Sequence, residues 1–285
     1  MARHPTDVFN IQIQHPRVPL SWFDAVVAPR HDFPVDYLSS QARVPRQLHL
    51  TRGTVHDIST ELLAQQTAQW REKLLKHTQQ QKNSRRRRAC VTWLIGGPCR
   101  GFAFSEQEAD AMANQFVRVL KGTGQHEEDG LAVFVTFSRR TPAKVVEIIH
   151  RHLRESFPEA NQLFVWDGDG ENPYYAFLGL ASLVVTTPDS ISMTTEAIAS
   201  ATPVCTISAE RAKGKFRRFH QALFDAKLTS PFTQEAVSAA LGLDATMSQP
   251  EELQHNRQLP SDALERELNG IADAIAQHIV TAIGK

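Results

Sequence analysis

Apolar and polar positions fall into blocks along the chain, and from Ala89 onward the blocks keep a regular rhythm of strand and helix. Ala89–Ile95, Leu131–Phe137, Gln162–Trp166, Leu183–Val185 and Pro203–Ile207 are short apolar runs rich in β-branched residues, the pattern of strands buried on both faces. Helical spacing fills the gaps, over Glu106–Lys121, Ala143–Ser156, Pro173–Leu180 and Ser190–Ser200. Ser105 and Glu108 form a capping box for the first of these helices, Pro142 lies near the first position of the second, and Asn172 caps the third. Lys213–Lys227 is basic and amphipathic, and Asp262–Ile283 reads as a closing helix. Helices alternating with apolar strands predict a parallel sheet covered on both faces. The fold class is therefore α/β, with a Rossmann-like domain over residues 85–285.

The first part of the chain is less regular. Phe9–Ile13, Phe23–Pro29 and Leu48–Gly53 read as strands, and Thr60–Gln81 as a helix with an apolar stripe of Leu62, Leu63, Trp70, Leu74 and Leu75. Residues 16–19 are too short for the crossover helix that normally joins parallel strands. Residues 1–84 thus read as a partial Rossmann-like domain with a linker helix. The run QQQKNSRRRR ends it, and Arg85–Arg88 reads either as a solvated linker or as a contact for phosphate or acidic lipid.

Composition narrows the function classes. The 285 residues suffice for two domains, and 41% hydrophobic with 22% charged residues is ordinary for a globular protein. Acidic and basic residues balance at 31 each, so the whole chain carries no bias toward nucleic acid. Three scattered cysteines make neither a disulfide framework nor metal-ligand spacing, and no metal site is expected. No apolar run reaches transmembrane length and no signal-peptide core is evident at the start, so the expectation is a cytoplasmic protein, peripheral at a membrane at most. HExxH and GxSxG are absent, which removes the zinc-protease and α/β-hydrolase readings.

Ligands of such sheets sit outside the carboxyl ends of the strands. Three turns should meet there: Gly96-Gly97-Pro98, Ser138-Arg139-Arg140-Thr141, and Asp189-Ser190. The paired glycines let backbone approach a diphosphate, though a Gly-Gly turn needs no ligand. Arg139 and Arg140 are either phosphate donors or a surface pair. The stretch LVVTTPDSISMTTEA runs from a strand into a hydroxyl-rich helix start, with Asp189 or Ser190 as N-cap. That start aims free N–H groups toward an anion, or simply caps a βαβ unit. Glu196, one to two turns inside the helix, is placed to accept sugar or ribose hydroxyls. Trp166 reads as a core residue in preference to a stacking platform. His31 beside Asp32 is either a base oriented by a carboxylate or an exposed turn histidine.

Six motifs occur in the order of one family. QIQHPR, FDAVVAPRHD, IGGP, FSRRTP, WDGDGENPY and VVTTPDSISMTTEA together resemble the plant "elongated mitochondria" fission-factor family and its bacterial relatives, from about Phe9 to Ile207. The resemblance implies a peripheral protein on the cytosolic face of the mitochondrial outer membrane that helps recruit a dynamin-related GTPase. The family in turn is similar to glycosyltransferases of the two-Rossmann-domain B type. That similarity implies diphosphate contacts at Gly96, Gly97, Ser190 and Ser192, with Ser138 and Asp189 in the same rim. Arg139 would then face the phosphates and Glu196 the ribose of a nucleotide diphosphate-sugar.

Two departures stand out. Nothing like the family's Gly-rich, DGRAG-like start precedes Val8, which implies an incomplete first domain. The helix ending at Ser200-Ala201-Thr202 lacks the usual glycine stop, so a left-handed cap there would be strained or replaced. Two functions follow as expectations. One is a glycosyltransferase-like scaffold in mitochondrial fission. The other is a nucleotide-sugar glycosyltransferase with His31 or Asp32 as base and Gly97, Arg139 and the Ser190 helix start holding the leaving diphosphate.

Overall fold

The computed structural model describes residues 8–39, 44–75, 89–124, 131–159, 162–243 and 250–283. The chain forms two compact units, Met1–His56 with Asp262–Lys285, and Asp57–Ser261. This division differs from the expected boundary at residues 84 and 85, for two physical reasons. The helix Thr60–Leu75 carries Trp70 and Leu74 into the apolar cluster of the second unit, against Phe134 and Phe177. The closing helix, which runs Pro250–Ile283, sends Ile271, Ile275 and Ile279 against Ala25 and Val27 of the first.

In the first unit, β1 (Ile11–Ile13), β2 (Ala25–Pro29) and β3 (Leu48–Thr51) form a parallel sheet in that order. All five residues of β2 are buried, as befits a central strand covered on both faces. A single-turn 3-10 helix, Arg30–Asp32, follows β2 directly, and α1 (Val35–Ser39) comes next.

The second unit starts with α2 (Thr60–Leu75); the expected continuation to Gln81, and Arg85–Arg88, lie outside the described residues. Then follow β4 (Cys90–Ile95), α3 (Glu106–Gly122), β5 (Ala132–Phe137), α4 (Ala143–Ser156) and β6 (Leu163–Trp166). The chain continues through α5 (Tyr174–Leu180), β7 (Leu183–Thr186), α6 (Ile191–Ala199) and β8 (Val204–Thr206). It closes with α7 (Gly214–Asp225), β9 (Ser230–Pro231), α8 (Gln234–Leu241) and α9 (Pro250–Ile283). The six strands are parallel in the order β6-β5-β4-β7-β8-β9. Chain direction across the sheet reverses between β4 and β7, the switch point beside which ligands of such sheets bind.

Period-two alternation in β4 explains the layers. Val91, Trp93 and Ile95 face one core with α3, α4 and α8, while Cys90 joins α2 and α5 on the other side. Trp93 and Phe116 are fully buried and stacked at 4.2 Å, and Phe116 stacks on Phe232 at 5.7 Å. Truncating Phe116 to alanine would cost about 3–5 kcal/mol, the usual range for an aromatic core residue. The capping box forms with both bonds, Ser105 Oγ accepting from Glu108 N–H and Glu108 Oε2 accepting from Ser105 N–H. At the end of α6 the missing glycine has the expected consequence. Ala201 takes φ +59°, a left-handed conformation that a Cβ disfavours.

Candidate functional site

The three turns past the carboxyl ends of β4, β5 and β7 are joined by hydrogen bonds. Gly96 N–H donates to Thr187 Oγ1 (2.8 Å), and Thr141 Oγ1 donates to Gly96 O (2.5 Å). Gly97 N–H donates to Asp189 Oδ2 (2.7 Å). Arg140 Nη2 lies 3.7 Å from the same oxygen, and Arg140 Nη1 donates to Pro98 O (3.4 Å). Ser138 shapes the β5 turn through its N–H to Ile95 O (2.7 Å) and its Oγ, which accepts from Arg140 N–H (3.1 Å).

The glycine pair is demanded by this packing. A Cβ on Gly96 would stand 1.9 Å from Asp189 Oδ2, and one on Gly97 would stand 2.5 Å from the Arg140 carbonyl group. Asp189 is only 3% exposed, and its Oδ1 is buried without a hydrogen-bond partner among the described residues. Burial pushes its carboxyl pKa up, opposed by the Thr187 hydroxyl, the Gly97 amide and the Arg140 guanidinium.

Of the two expected N-caps, Ser190 takes the role, its Oγ accepting from Met193 N–H (3.4 Å). Asp189 turns instead into the glycine turn. Thr194 and Thr195, one turn further, return their hydroxyls to the carbonyls of Ser190 and Ile191 (both 2.9 Å). Ser192 is exposed on the first turn of α6. Glu196 is half-buried and accepts a short hydrogen bond from the Tyr174 hydroxyl at the start of α5. Burial raises the pKa of both groups, Tyr174 well above its usual value. Beside them, Tyr175 Oη donates to Asp57 Oδ2 (3.0 Å).

Below the Asp189 turn lies His220 of α7, 1% exposed. Its Nε2 is 3.0 Å from Pro188 O, so that nitrogen carries the hydrogen, and Nδ1 faces Thr206 Oγ1 at 3.4 Å. Burial holds its pKa down at about 4.

Residues expected from the sequence separate accordingly. Gly96, Gly97, Ser138, Asp189 and Ser190 share one connected set of turns. Arg139 is exposed, and it is its neighbour Arg140 that reaches Asp189. In the first unit, His31 is 8% exposed, with Nε2 3.9 Å from Asp32 Oδ1, which corrects the reading of an exposed turn histidine. The 3-10 turn tucks its ring inward immediately after the buried β2. Trp166 packs against the α2–α5 cluster and donates Nε1–H to Asp169 O (3.2 Å), a core role. Arg140 is one of the two arginines the sequence offers as phosphate donors, whereas Thr187, Tyr174 and His220 carry no local signal of a site. The motif WDGDGENPY contains Tyr174, but nothing local in it shows that its hydroxyl meets a glutamate 22 residues on.

Comparison with known proteins agrees with this architecture. The chain is 13% identical to an α,α-trehalose-phosphate synthase (UDP-forming) from Burkholderia vietnamiensis, with a TM-score of 0.54 over 91% of this chain and 62% of that one. The trehalose-6-phosphate phosphatase N-terminal domain of Candida albicans gives a TM-score of 0.52 at 13% identity, over 90% of this chain and 58% of that one. At such identity the likeness is one of fold, the two-Rossmann-domain glycosyltransferase-B architecture. Among sequences, the chain is 28% identical over 241 residues to the mitochondrial fission protein ELM1 of Arabidopsis thaliana, covering 80% of this chain and 52% of that protein. It is 27% identical over 211 residues to the uncharacterized protein RP120 of Rickettsia prowazekii, covering 68% and 56% respectively. The chain thus spans about half the length of these two curated relatives. A family model described as mitochondrial fission ELM1 matches residues 1–259, and the chain therefore belongs to that family.

Proposed function

We propose that this chain is a glycosyltransferase-like scaffold in mitochondrial fission, peripheral on the cytosolic face of the outer membrane, where it recruits a dynamin-related GTPase. The observation that carries this reading is the position of Asp189. A phosphate held at the switch point would need the Gly97 amide, and the chain's own carboxylate already accepts it at 2.7 Å. A second anion beside a buried carboxylate is electrostatically disfavoured, so the turn serves as architecture. The burial of His31 adds to this, since a base must reach its substrate. Among the described residues no helix is long and apolar enough to cross a membrane, which suits peripheral attachment.

The test is affinity capture from cytosol with the purified chain as bait. Enrichment of a dynamin-related GTPase supports the scaffold; its absence, under conditions where the Arabidopsis relative succeeds, sinks it.

A second reading, a nucleotide-sugar glycosyltransferase, is favoured by Glu196, a half-buried carboxyl group oriented by the Tyr174 hydroxyl where ribose hydroxyls are expected. Titration of uridine and guanosine diphosphates separates the two. A melting temperature that rises with nucleotide and is flat in Glu196→Ala indicates a working nucleotide site; no rise leaves the scaffold.

A further inference from the structure

We propose that the bare edge of β1 is a homodimer interface, where a second copy of this chain adds its own β1 antiparallel across a two-fold axis. Seven large apolar side chains are exposed among the described residues. Six of them, Val8, Ile11, Ile13, Val18, Trp22 and Val280, belong to β1 and the segments beside it.

The register of the small sheet sets them around one edge. Ile11 and Ile13 pair with Ala25 and Val27, so they lie on the face that α9 covers. Phe9 and Ile279 pack on that face, and their neighbours Val8 and Val280 stand out from it. Gln12 pairs with Val26 and lies on the other face, where Leu20 anchors the turn that carries Trp22, 62% exposed. Both flanks of the free edge are therefore apolar. No residue of β3 or β6, which also border their sheets, is exposed in this way.

The backbone of the edge is free in the pattern that a two-fold axis needs. Asn10 O accepts from Ala25 N–H (3.3 Å) and Gln14 N–H donates to Val27 O (2.8 Å), so the even-numbered residues bond to β2. The amide and carbonyl groups of Ile11 and Ile13 then point outward, as alternation along a strand requires. An axis at Gln12 sets Ile11 of one copy opposite Ile13 of the other, and each such pair exchanges two hydrogen bonds. Four isoleucines meet on one face and two Gln12 side chains on the other. Gln12 Nε2 donates to Ile13 O (2.6 Å) in the single chain, and it turns to its counterpart once an amide from the second copy takes that carbonyl.

Composition selects a copy of the same chain as the occupant. Edge strands of monomeric proteins are guarded by a charge, a proline or a bulge, and β1 has none of these. Residues 8–23 contain one charged residue, Arg17, and residues 274–283 contain none, against 22% for the whole chain. Asp24, whose Oδ2 accepts from Asn10 N–H (2.9 Å), offsets the charge of Arg17. Like surfaces meet here without like charges opposed. The six side chains expose on the order of 600 Å² per copy, so pairing buries roughly 1,200 Å², the lower end of specific interfaces.

Sedimentation velocity of the purified full chain from about 1 to about 100 μM tests this. Wild type should approach twice the mass of one chain as concentration rises, and stop there, because a two-fold contact closes on itself. Ile11→Glu with Ile13→Glu sets carboxylates against carboxylates across the axis and should weaken association at least about 100-fold. Both positions are exposed, so the melting temperature of the dilute chain should stay at the wild-type value. Trp22→Ala should weaken association about tenfold. Val55→Glu, exposed away from this edge, should associate like wild type. Gln12→Cys lies on the axis and should form an intermolecular disulfide under mild oxidation, which wild type, with Cys90 and Cys205 buried, should not.

A mass that stays at one chain throughout the range overturns the proposal, and so does an assembly that grows past two. It is equally overturned if the double glutamate variant still dimerises, or if the Gln12→Cys dimer fails to cross-link. Binding of wild type to neutral phosphatidylcholine vesicles in place of self-association would overturn it too, by giving the edge a lipid occupant.

Discussion

Asp189 and Gly96 occupy space that only one of them can fill with a side chain: Asp189 Oδ2 lies 1.9 Å from where a Cβ on Gly96 would be. The carboxylate then reaches on to the Gly97 amide. The glycine turn, which invites a diphosphate when read alone, is met in the folded protein by the chain's own Asp189 carboxyl group.

Gly96→Ala should lower stability by at least about 2 kcal/mol in urea denaturation, since neither a buried strand end nor a buried carboxylate can easily give way. Because the obstacle is a side chain, Asp189→Ala in the same chain should recover roughly 1–2 kcal/mol of that loss in a double-mutant cycle. Gly97→Ala meets the Arg140 backbone and should show no such recovery. Strict additivity for the Gly96 pair would refute the contact.

Acid should weaken the fold through His220. Its folded pKa is near 4, while the unfolded imidazole titrates near 6.5, so the unfolded chain takes the proton first. Stability from keeping the ring neutral is complete above about pH 6.5 and falls as the pH drops toward 4, by roughly 3 kcal/mol at most. His220→Gln, which retains a donor for Pro188 O, should flatten the dependence of the urea midpoint between pH 7 and pH 5. An unchanged slope would place the titration elsewhere.

Ala201→Gly should stabilise the protein by about 1 kcal/mol, measured as a higher melting temperature. The residue sits at φ +59° after α6, where glycine is free of the Cβ clash. Ala201→Val should shift the melting temperature the other way.

Tyr174→Phe removes the donor that holds Glu196 and should cost roughly 1–2 kcal/mol at pH 7. Glu196 already has a raised pKa through burial, and loss of the hydroxyl should raise it further. The deficit should therefore narrow as the pH falls through that raised value and the carboxyl becomes neutral. A deficit constant with pH would mean that ring packing, not the hydroxyl, is what the substitution disturbs.

Legibility from sequence followed how local the determinant was. The strand β4, the capping box at Ser105 and the left-handed end of α6 are written in neighbouring residues, and each appears as expected. The strand β9 is two residues long and contains a proline, and α8 spans two turns, so neither gives a periodic signal. The closing helix starts at Pro250, not Asp262, because the polar stretch before Pro260 offers no apolar stripe to count. In the site, Asp189 and Ser190 were equivalent cap candidates in sequence. What separates them is Gly97, 92 residues away, which supplies the amide that draws one inward. Arg140 was distinguished from Arg139 by the same tertiary contact. Burial of His31 depends on how a single 3-10 turn folds back, which its two polar neighbours conceal.

The strand Ser230–Pro231, which borders the larger sheet on the side opposite β6, has a consequence for self-association. A long free border of parallel strand would template recruitment of further chains by backbone pairing. On this side the border is cut to two residues, one lacking an amide hydrogen, so growth of the sheet beyond β9 finds almost no ladder to extend.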